Sequence, residues 1–193
     1  MEFTGSNRDW SPKLFNPVAG GGGALVGISW LVPLFGAWFG WKLARSGDHP
    51  ASAGKAIGFA LLGLLIMPLV GFAAIKAGLP QQGLSTFAVF IVMAIVGGIL
   101  AFRAWPGLGR TLFAYALAAR IPVVIVMLVA MLGNWGTHYD VAPPNFPAMG
   151  VLSKWFMIGV LPQLTIWIWW TIAGGAVAGA IAGAIAARKP ATA

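Results

Sequence analysis

Residues 84–102, LSTFAVFIVMAIVGGILAF, form an apolar stretch of 19 residues that carries no charged side chain. At about 1.5 Å of helical rise per residue, this stretch matches the roughly 30 Å hydrocarbon core of a bilayer. Backbone amides in lipid must bond within their own segment, so we predict a transmembrane helix here. The stretch is followed by Arg103 and Trp105, residue types that are typical of a helix end among lipid headgroups.

The composition of the whole chain supports the same interpretation. Of 193 residues, 59% are hydrophobic and 8% are charged, whereas a soluble domain typically has about 25% charged residues. A soluble fold of this size could not cover its surface with so few charges. We therefore predict an all-α fold, a polytopic integral membrane helical bundle of about five transmembrane helices, with the lipid bilayer as its partner.

The predicted spans are separated by short segments rich in glycine, proline and polar residues. A polar head and a glycine linker occupy residues 1–23, a single membrane domain covers 24–189, and a tail follows at 190–193. Prolines and glycines, which are poor helix formers, mark the ends of the spans. The five predicted spans are 24–44, 56–79, 84–104, 110–132 and 162–187.

The segment between the fourth and fifth spans is predicted in two parts. Residues 133–150, GNWGTHYDVAPPNFPAMG, contain several prolines and glycines and are expected to form an outer loop. Residues 151–160 carry Lys154 and Trp155 and form a candidate interfacial helix. The stretch from 151 to 187 is too long for one span, so we expect a break at Pro162.

The distribution of lysine and arginine predicts the orientation. With five spans, one face of the membrane receives seven cations and the other receives four, Arg120 being left out. Cytoplasmic segments carry the excess, which predicts a multi-pass protein of the cell (inner) membrane with its N-terminus outside and its C-terminus cytoplasmic. Most of the cations sit at the ends of apolar segments rather than on one basic face, so the net charge of +8 does not indicate a nucleic-acid partner. The seven are Lys42, Arg45, Lys55, Arg103, Arg110, Arg188 and Lys189, and the four are Arg8, Lys13, Lys76 and Lys154.

Three glycines spaced by four residues, Gly175, Gly179 and Gly183, share one face of the fifth predicted span. Small residues at this spacing let two helix backbones approach closely and gain dispersion contacts. Two interpretations are open. The face packs against another helix of the same chain, or it is the interface of a homo-oligomer or of a membrane-protein complex.

Arg120 lies near the middle of the fourth predicted span, two residues before Pro122. An arginine at this depth costs from about 3 to over 10 kcal/mol, and the predicted spans contain no aspartate or glutamate. Carbonyls freed by Pro122, an anion in an aqueous cavity, or Asp140 from the following loop could each compensate the charge. The alternative is a shifted span in which 110–119 lies in the membrane plane and Arg120 snorkels to the interface.

A polar cluster in the outer loop consists of Asn134, Trp135, His138, Tyr139 and Asp140. A histidine and an aspartate two residues apart could form an acid–base pair or part of a metal site. The other histidine, His49, falls on the opposite membrane face in this topology, so no metal site is predicted. The alternative is a structural cap, in which the polar side chains hydrogen-bond the turns of a proline-rich loop.

No nucleophile elbow, phosphate-binding loop or zinc-protease motif is present, and no cofactor is predicted. The leading hypothesis is a non-enzymatic accessory or scaffold subunit that acts through helix–helix packing. The second is a small transporter or a lipid- or anion-binding protein that uses Arg120, with His138 and Asp140 as gating groups. The third is a lipid-modifying enzyme with His138 and Asp140 as acid and base. The candidate ligand-binding residues are Arg120, Asn134, His138, Tyr139 and Asp140.

Overall fold

The computed structural model describes residues 28–79, 84–143 and 146–188, and the regular secondary structure of these ranges is entirely helical. The predicted head and linker at 1–23, residues 24–27, 80–83, 144–145 and 189, and the predicted tail at 190–193 lie outside them. A 3₁₀ turn (Ile28–Trp30) leads into α1 (Leu31–Arg45), α2 (Ala53–Lys76), α3 (Leu84–Ala104) and α4 (Pro106–Gly133). After a loop follow α5 (Val151–Lys154), a π-helical segment (Trp155–Val160), α6 (Leu161–Leu164) and α7 (Ile166–Arg188).

The fold is the predicted all-α membrane bundle. Helix α1 has 15 residues, fewer than the roughly 20 that a bilayer crossing needs. Because residues 24–27 are not described, a fifth crossing over 24–44 stays a prediction. Four helical stretches in the described ranges are long and apolar enough to span a membrane, namely Ala53–Lys76, Phe87–Ala104, Pro106–Gly133 and Val151–Ala187.

Helix α7 is the central element of the bundle and contacts α1, α2, α3 and α4. In the apolar part of Val151–Ala187, 56% of the positions are buried, against 22–28% in the other three stretches. Helices α2, α3 and α4 instead expose large apolar side chains such as Phe72, Ile95 and Ile125. This is the surface expected of helices that face lipid on one side and α7 on the other.

Helices α1 and α7 pack through facing glycines. A Cβ added to Gly36 would lie 2.6 Å from the Cα of Gly175, and one added to Gly40 would lie 2.6 Å from the Cα of Gly179. Backbones this close can accommodate only glycine, and the approach maximises dispersion contacts that lipid cannot replace. Both pairs occur in the same chain order, so α1 and α7 run parallel.

Helices α2 and α3 form an antiparallel pair that also crosses at glycines. A Cβ on Gly63 would overlap with the carbonyl oxygen of Gly97, and the reverse substitution would overlap equally. Trp169 of α7 fills the junction, because its indole N–H donates to the carbonyl oxygen of Gly63 across 2.8 Å. The Trp169 ring also lies where a side chain on Gly97 would be. Three helices therefore meet at one small-residue crossing.

The C-terminal helical stretch runs antiparallel to α4. Gly179 packs on Leu108 near the start of α4, whereas the indole N–H of Trp155 donates to the carbonyl oxygen of Val124 near its end, across 2.9 Å. The ends of α1, α3 and α7 and the starts of α2 and α4 therefore lie at one end of the bundle. We call it the cation-rich end, and its orientation in the membrane stays a prediction. It carries Lys42, Arg45, Lys55, Arg103 and Arg110.

The C-terminal stretch differs from the sequence prediction, because the helix does not stop at Pro162. It widens into a π turn over Trp155–Val160 and departs from helical dihedral angles at Thr165 (φ −124°, ψ −74°). Proline lacks an N–H, and its ring crowds the carbonyl four residues earlier, here that of Ile158. The wider turn relieves this conflict without ending the helix. The interfacial position of 151–160 stays a prediction.

Candidate functional site

Arg120 lies inside the bundle, on the face of α4 that meets the C-terminal stretch. Its side chain is 4% exposed, so it does not snorkel to the surface. Its Nη1 atom donates to Oε1 of Gln163 across 3.4 Å, and the guanidinium carbon lies 4.6 Å from the centre of the Trp167 ring. Its Nε atom is buried and has no hydrogen-bond partner in the described part of the chain.

The local structure of the C-terminal stretch brings both contact residues opposite Arg120. The hydrogen bond from Trp155 to Val124 holds the π-helical segment against α4. Gln163 and Trp167 follow it on either side of the non-helical Thr165. Both side chains contact Arg120. The result is a site with one cation, one amide and one aromatic ring.

The contacts of Arg120 compensate only part of the cost of burying its charge. The hydrogen bond of 3.4 Å exceeds the roughly 2.7–3.2 Å that is typical of N–H···O bonds, so it is weak. A cation–π contact contributes about 0.5–2 kcal/mol, whereas an arginine at mid-bilayer costs from about 3 to over 10 kcal/mol. The unpaired Nε adds a penalty of about 1–3 kcal/mol or more. Within the described residues, the Nε atom of Arg120 therefore lacks an acceptor, and the charge of the guanidinium is only partly compensated.

Acidic side chains of the described residues do not supply that acceptor. The chain has four acids, of which Asp48 and Asp140 are described. Asp48 is engaged at the cation-rich end, and Asp140 is engaged within its own loop. Asp140 is thus not the partner of Arg120 that the sequence offered as one alternative. Glu2 and Asp9 lie outside the described residues.

The contact with Gln163 was missed by sequence reasoning. Pro122 leaves the carbonyl oxygen of Ala118 without its helical N–H, and we expected such a carbonyl to be a candidate acceptor for Arg120. The bond goes instead to a side chain 43 residues away. One neutral polar residue changes the hydropathy of an apolar stretch little. The available signal was an amide directly after Pro162, in a stretch otherwise poor in polar groups.

Asp140 organises the loop that follows α4. Its carboxylate accepts hydrogen bonds from the amide of Gly136 (2.9 Å), the amide of Thr137 (2.6 Å) and the hydroxyl of Thr137 (2.8 Å). Burial alone would raise the pKa of Asp140, but these hydrogen bonds and the charge of Lys154 outweigh it and lower the pKa below its ordinary value. The geometry is that of a structural cap on a turn.

His138 does not pair with Asp140 in the described structure. The His138 side chain is exposed and contacts the Tyr139 ring in a tilted arrangement, with ring centroids 3.9 Å apart. Asp140 is 6% exposed and faces its own turn. Asn134 ends α4 in the left-handed conformation (φ 48°), where asparagine is one of the favoured residues. The loop therefore lacks the acid–base geometry that a lipid-modifying enzyme would need there.

The predicted glycine face of α7 is filled by the same chain. One side of it meets Gly36 and Gly40 of α1, as described above. On the other side, a Cβ added to any of the three glycines would lie 2.6 Å from a side-chain carbon of α4 or of Trp105, the residue that precedes α4. A second subunit could reach this face only by displacing α1 or α4, so it is not a free interface. The three contacts are Gly175 with Leu112, Gly179 with Leu108 and Gly183 with Trp105.

A further contact that the sequence did not reveal joins the α1–α2 loop to the start of α4. The indole N–H of Trp105 donates to Oδ1 of Asp48 across 2.9 Å. The same carboxylate occupies the space beside Gly107, where a Cβ would overlap with it. An acid at a helix N-terminus is stabilised by the unpaired amides and the helix dipole. The contact spans 57 residues of sequence, so no local pattern could indicate it.

Comparison of the chain with protein-family models, with curated proteins and with solved structures finds no match. The fold is that of a helical membrane bundle, and Arg120 with Gln163 and Trp167 forms a buried polar cluster within it.

Proposed function

We propose that this membrane protein binds an anionic group at Arg120, inside its helix bundle. The observation that carries the proposal is the buried Nε of Arg120, which has no acceptor in the described residues. A guanidinium presents several donors in one plane and recognises carboxylates and phosphates with two parallel bonds. The ligand class is therefore a phosphate or a carboxylate, carried by a lipid or by a small solute.

The packing around the site favours binding over a scaffold role. The glycine face on which the scaffold hypothesis depended is filled by α1 and by side chains of α4. Arg120 is buried and lies over the Trp167 ring, and in such a low-dielectric site an ion pair with a ligand is stronger than at a surface. Gln163 can donate through its amide nitrogen to the same anion, since a glutamine side chain both accepts and donates.

The first test is the sign of the stability change when the charge is removed. Arg120→Met keeps an unbranched side chain and deletes the guanidinium. Without added anion, we expect the variant to unfold at the same temperature as the wild type or higher, because an uncompensated buried charge has been removed. Thermal unfolding in an uncharged detergent, after extensive delipidation, measures this. A clearly lower Tm would mean that the chain itself pairs Arg120, and the proposal would fail.

The second test is stabilisation by ligand. Sodium phosphate, sodium acetate and an anionic phospholipid are each titrated against wild type, Arg120→Met and the surface control Lys76→Gln. A ligand that binds the folded state raises stability by about 2.7 kcal/mol at 100 times its Kd. We expect at least one probe to raise the Tm of wild type and Lys76→Gln by more than that of Arg120→Met. A rise of equal size in all three proteins with every probe that acts, or no rise with any probe, would contradict the proposal.

The same assay tests whether an acid outside the described residues is the acceptor. Glu2 and Asp9 could provide a carboxylate from the chain itself. The double substitution Glu2→Gln and Asp9→Asn should leave both the basal Tm and the response to anions unchanged if the ligand is external. If the double variant instead loses stability that Arg120→Met restores, the acceptor is internal and the proposed function is wrong.

A further inference from the structure

An open groove of about 330 Å³ lies on the outside of the bundle, where α3, α4 and the α6–α7 junction meet. Its wall on α3 includes Ala94 and Gly98, two small residues four positions apart. A Cβ added to Gly98 would meet no atom within 4 Å, so the space above it is open. The remaining lining residues are Ile95, Ile99, Phe102, Arg103, Phe113, Leu164, Thr165, Ile168, Trp169 and Ile172.

The groove is apolar along its length and cationic at one end. Ile95, Ile99 and Phe113 are exposed large apolar side chains on the bundle surface, so the groove opens toward the hydrocarbon of the bilayer. Arg103 lines it and lies in the last turn of α3, which is at the cation-rich end. An arginine at a helix terminus extends its charged head toward the headgroup layer. The groove is therefore an apolar surface with a cation, Arg103, at the depth of the lipid headgroups.

The cation-rich end keeps an excess of positive charge, because among the described residues one acid, Asp48, lies there with the five cations named above. Asp48 accepts the indole N–H of Trp105 and packs beside Gly107. Arg103 and Arg110, both exposed, lie on the neighbouring ends of α3 and α4. A partner that complements this surface must carry an anion at the membrane interface and an apolar chain below it.

We propose that the groove binds one acyl chain of an anionic phospholipid, whose phosphate is held by Arg103. At Gly98, where an added Cβ would meet no atom within 4 Å, the chain can approach the α3 backbone and gain dispersion contacts in the way that small residues do between helices. Arg103 adds charge-assisted hydrogen bonds to the phosphate. The site is distinct from Arg120, because Gln163 and Trp167 face α4, whereas Leu164, Ile168 and Ile172 line the groove on another face of the same stretch.

Native mass spectrometry of the intact protein, exchanged into lipid–detergent micelles, tests the proposal. The probes are phosphatidylglycerol and phosphatidylcholine with identical acyl chains. We expect the wild type to retain one phosphatidylglycerol in preference to phosphatidylcholine. Arg103→Gln should weaken this retention about fivefold, as one cation near the headgroups does. Arg103→Lys should preserve most of it, and Lys55→Gln, a cation of the same end outside the groove, should leave it unchanged.

A groove-filling substitution tests the apolar half of the site. Gly98→Leu places a side chain in open space, so we expect a folded protein that retains neither lipid. If Gly98→Leu does not fold, the comparison of Arg103→Gln with Lys55→Gln decides alone. Equal weakening by those two variants, equal retention of the two lipids by wild type, or undiminished retention by folded Gly98→Leu would each overturn the proposal. Arg120→Met should retain the lipid as wild type does, which separates this site from the proposed function.

Discussion

The junction of α2, α3 and α7 predicts a large difference between two glycines of the same helix. At Gly63, an added methyl group would meet the backbone of Gly97 and lie 3.1 Å from the Cβ of Ala101. At Gly58, five residues earlier on α2, an added methyl would meet nothing within 4 Å. Both changes to alanine gain about 1 kcal/mol of helix propensity, so that gain cancels when the two variants are compared.

The other contributions to the free energy of folding are all unfavourable in Gly63→Ala. Overpacking a tight contact costs about 1–3 kcal/mol, and separating the helices also weakens the Trp169 hydrogen bond, which contributes about 0.5–1.5 kcal/mol. We therefore expect Gly63→Ala to be about 1.5–4.5 kcal/mol less stable than Gly58→Ala. Reversible unfolding in mixed micelles, followed by circular dichroism, measures the difference. Equal stability of the two variants would refute the close crossing and with it the placement of α7.

Two further predictions concern the loop and the orientation. Because the pKa of Asp140 is lowered, its carboxylate should stabilise the loop fully above the ordinary carboxyl pKa of about 3.9 and lose this effect as the pH falls through its own lower pKa. The amide proton chemical shifts of Gly136 and Thr137 should therefore titrate with a midpoint below about pH 3.9. A midpoint above that pH would contradict the role of Asp140 as a cap. The native chain has no cysteine, so Ala148→Cys should react with an impermeant thiol reagent added outside intact cells, and Ala51→Cys should not. The reverse pattern would invert the predicted topology.

The helices were predictable because hydropathy reports a property that each segment has by itself. The stretch at 84–104 coincides with α3, and the stretch at 56–79 lies within three residues of α2 at either end. The effect of Pro162 was harder to predict. Proline usually ends a helix in water, but a π turn can accommodate it where neighbouring helices hold the chain. The length of α1 could not be judged, because its predicted start lies outside the described residues.

The partners within the bundle were less predictable, because they are set by which helices become neighbours. Gly175 and Gly179 were recognised as a packing face, but the matching pair Gly36 and Gly40 on α1 was overlooked although its spacing is the same. Arg120 was recognised because placing an arginine in the hydrocarbon core has a high free-energy cost, and this argument requires no knowledge of the fold. Its contact with Gln163 depends on how the C-terminal stretch lies on α4, and no local pattern contains that information.

An experimental structure in nanodiscs that contain anionic lipid, with the protein purified without removing bound solutes, tests the role of Arg120 most directly. The measurement is what lies within hydrogen-bonding distance, about 3.2 Å or less, of its Nε atom. We predict density for an oxygen acceptor that does not belong to the chain, beside Gln163 and Trp167. An Nε atom that donates to a carbonyl or carboxylate of the protein itself, or a guanidinium that extends to the headgroup layer, would contradict the account.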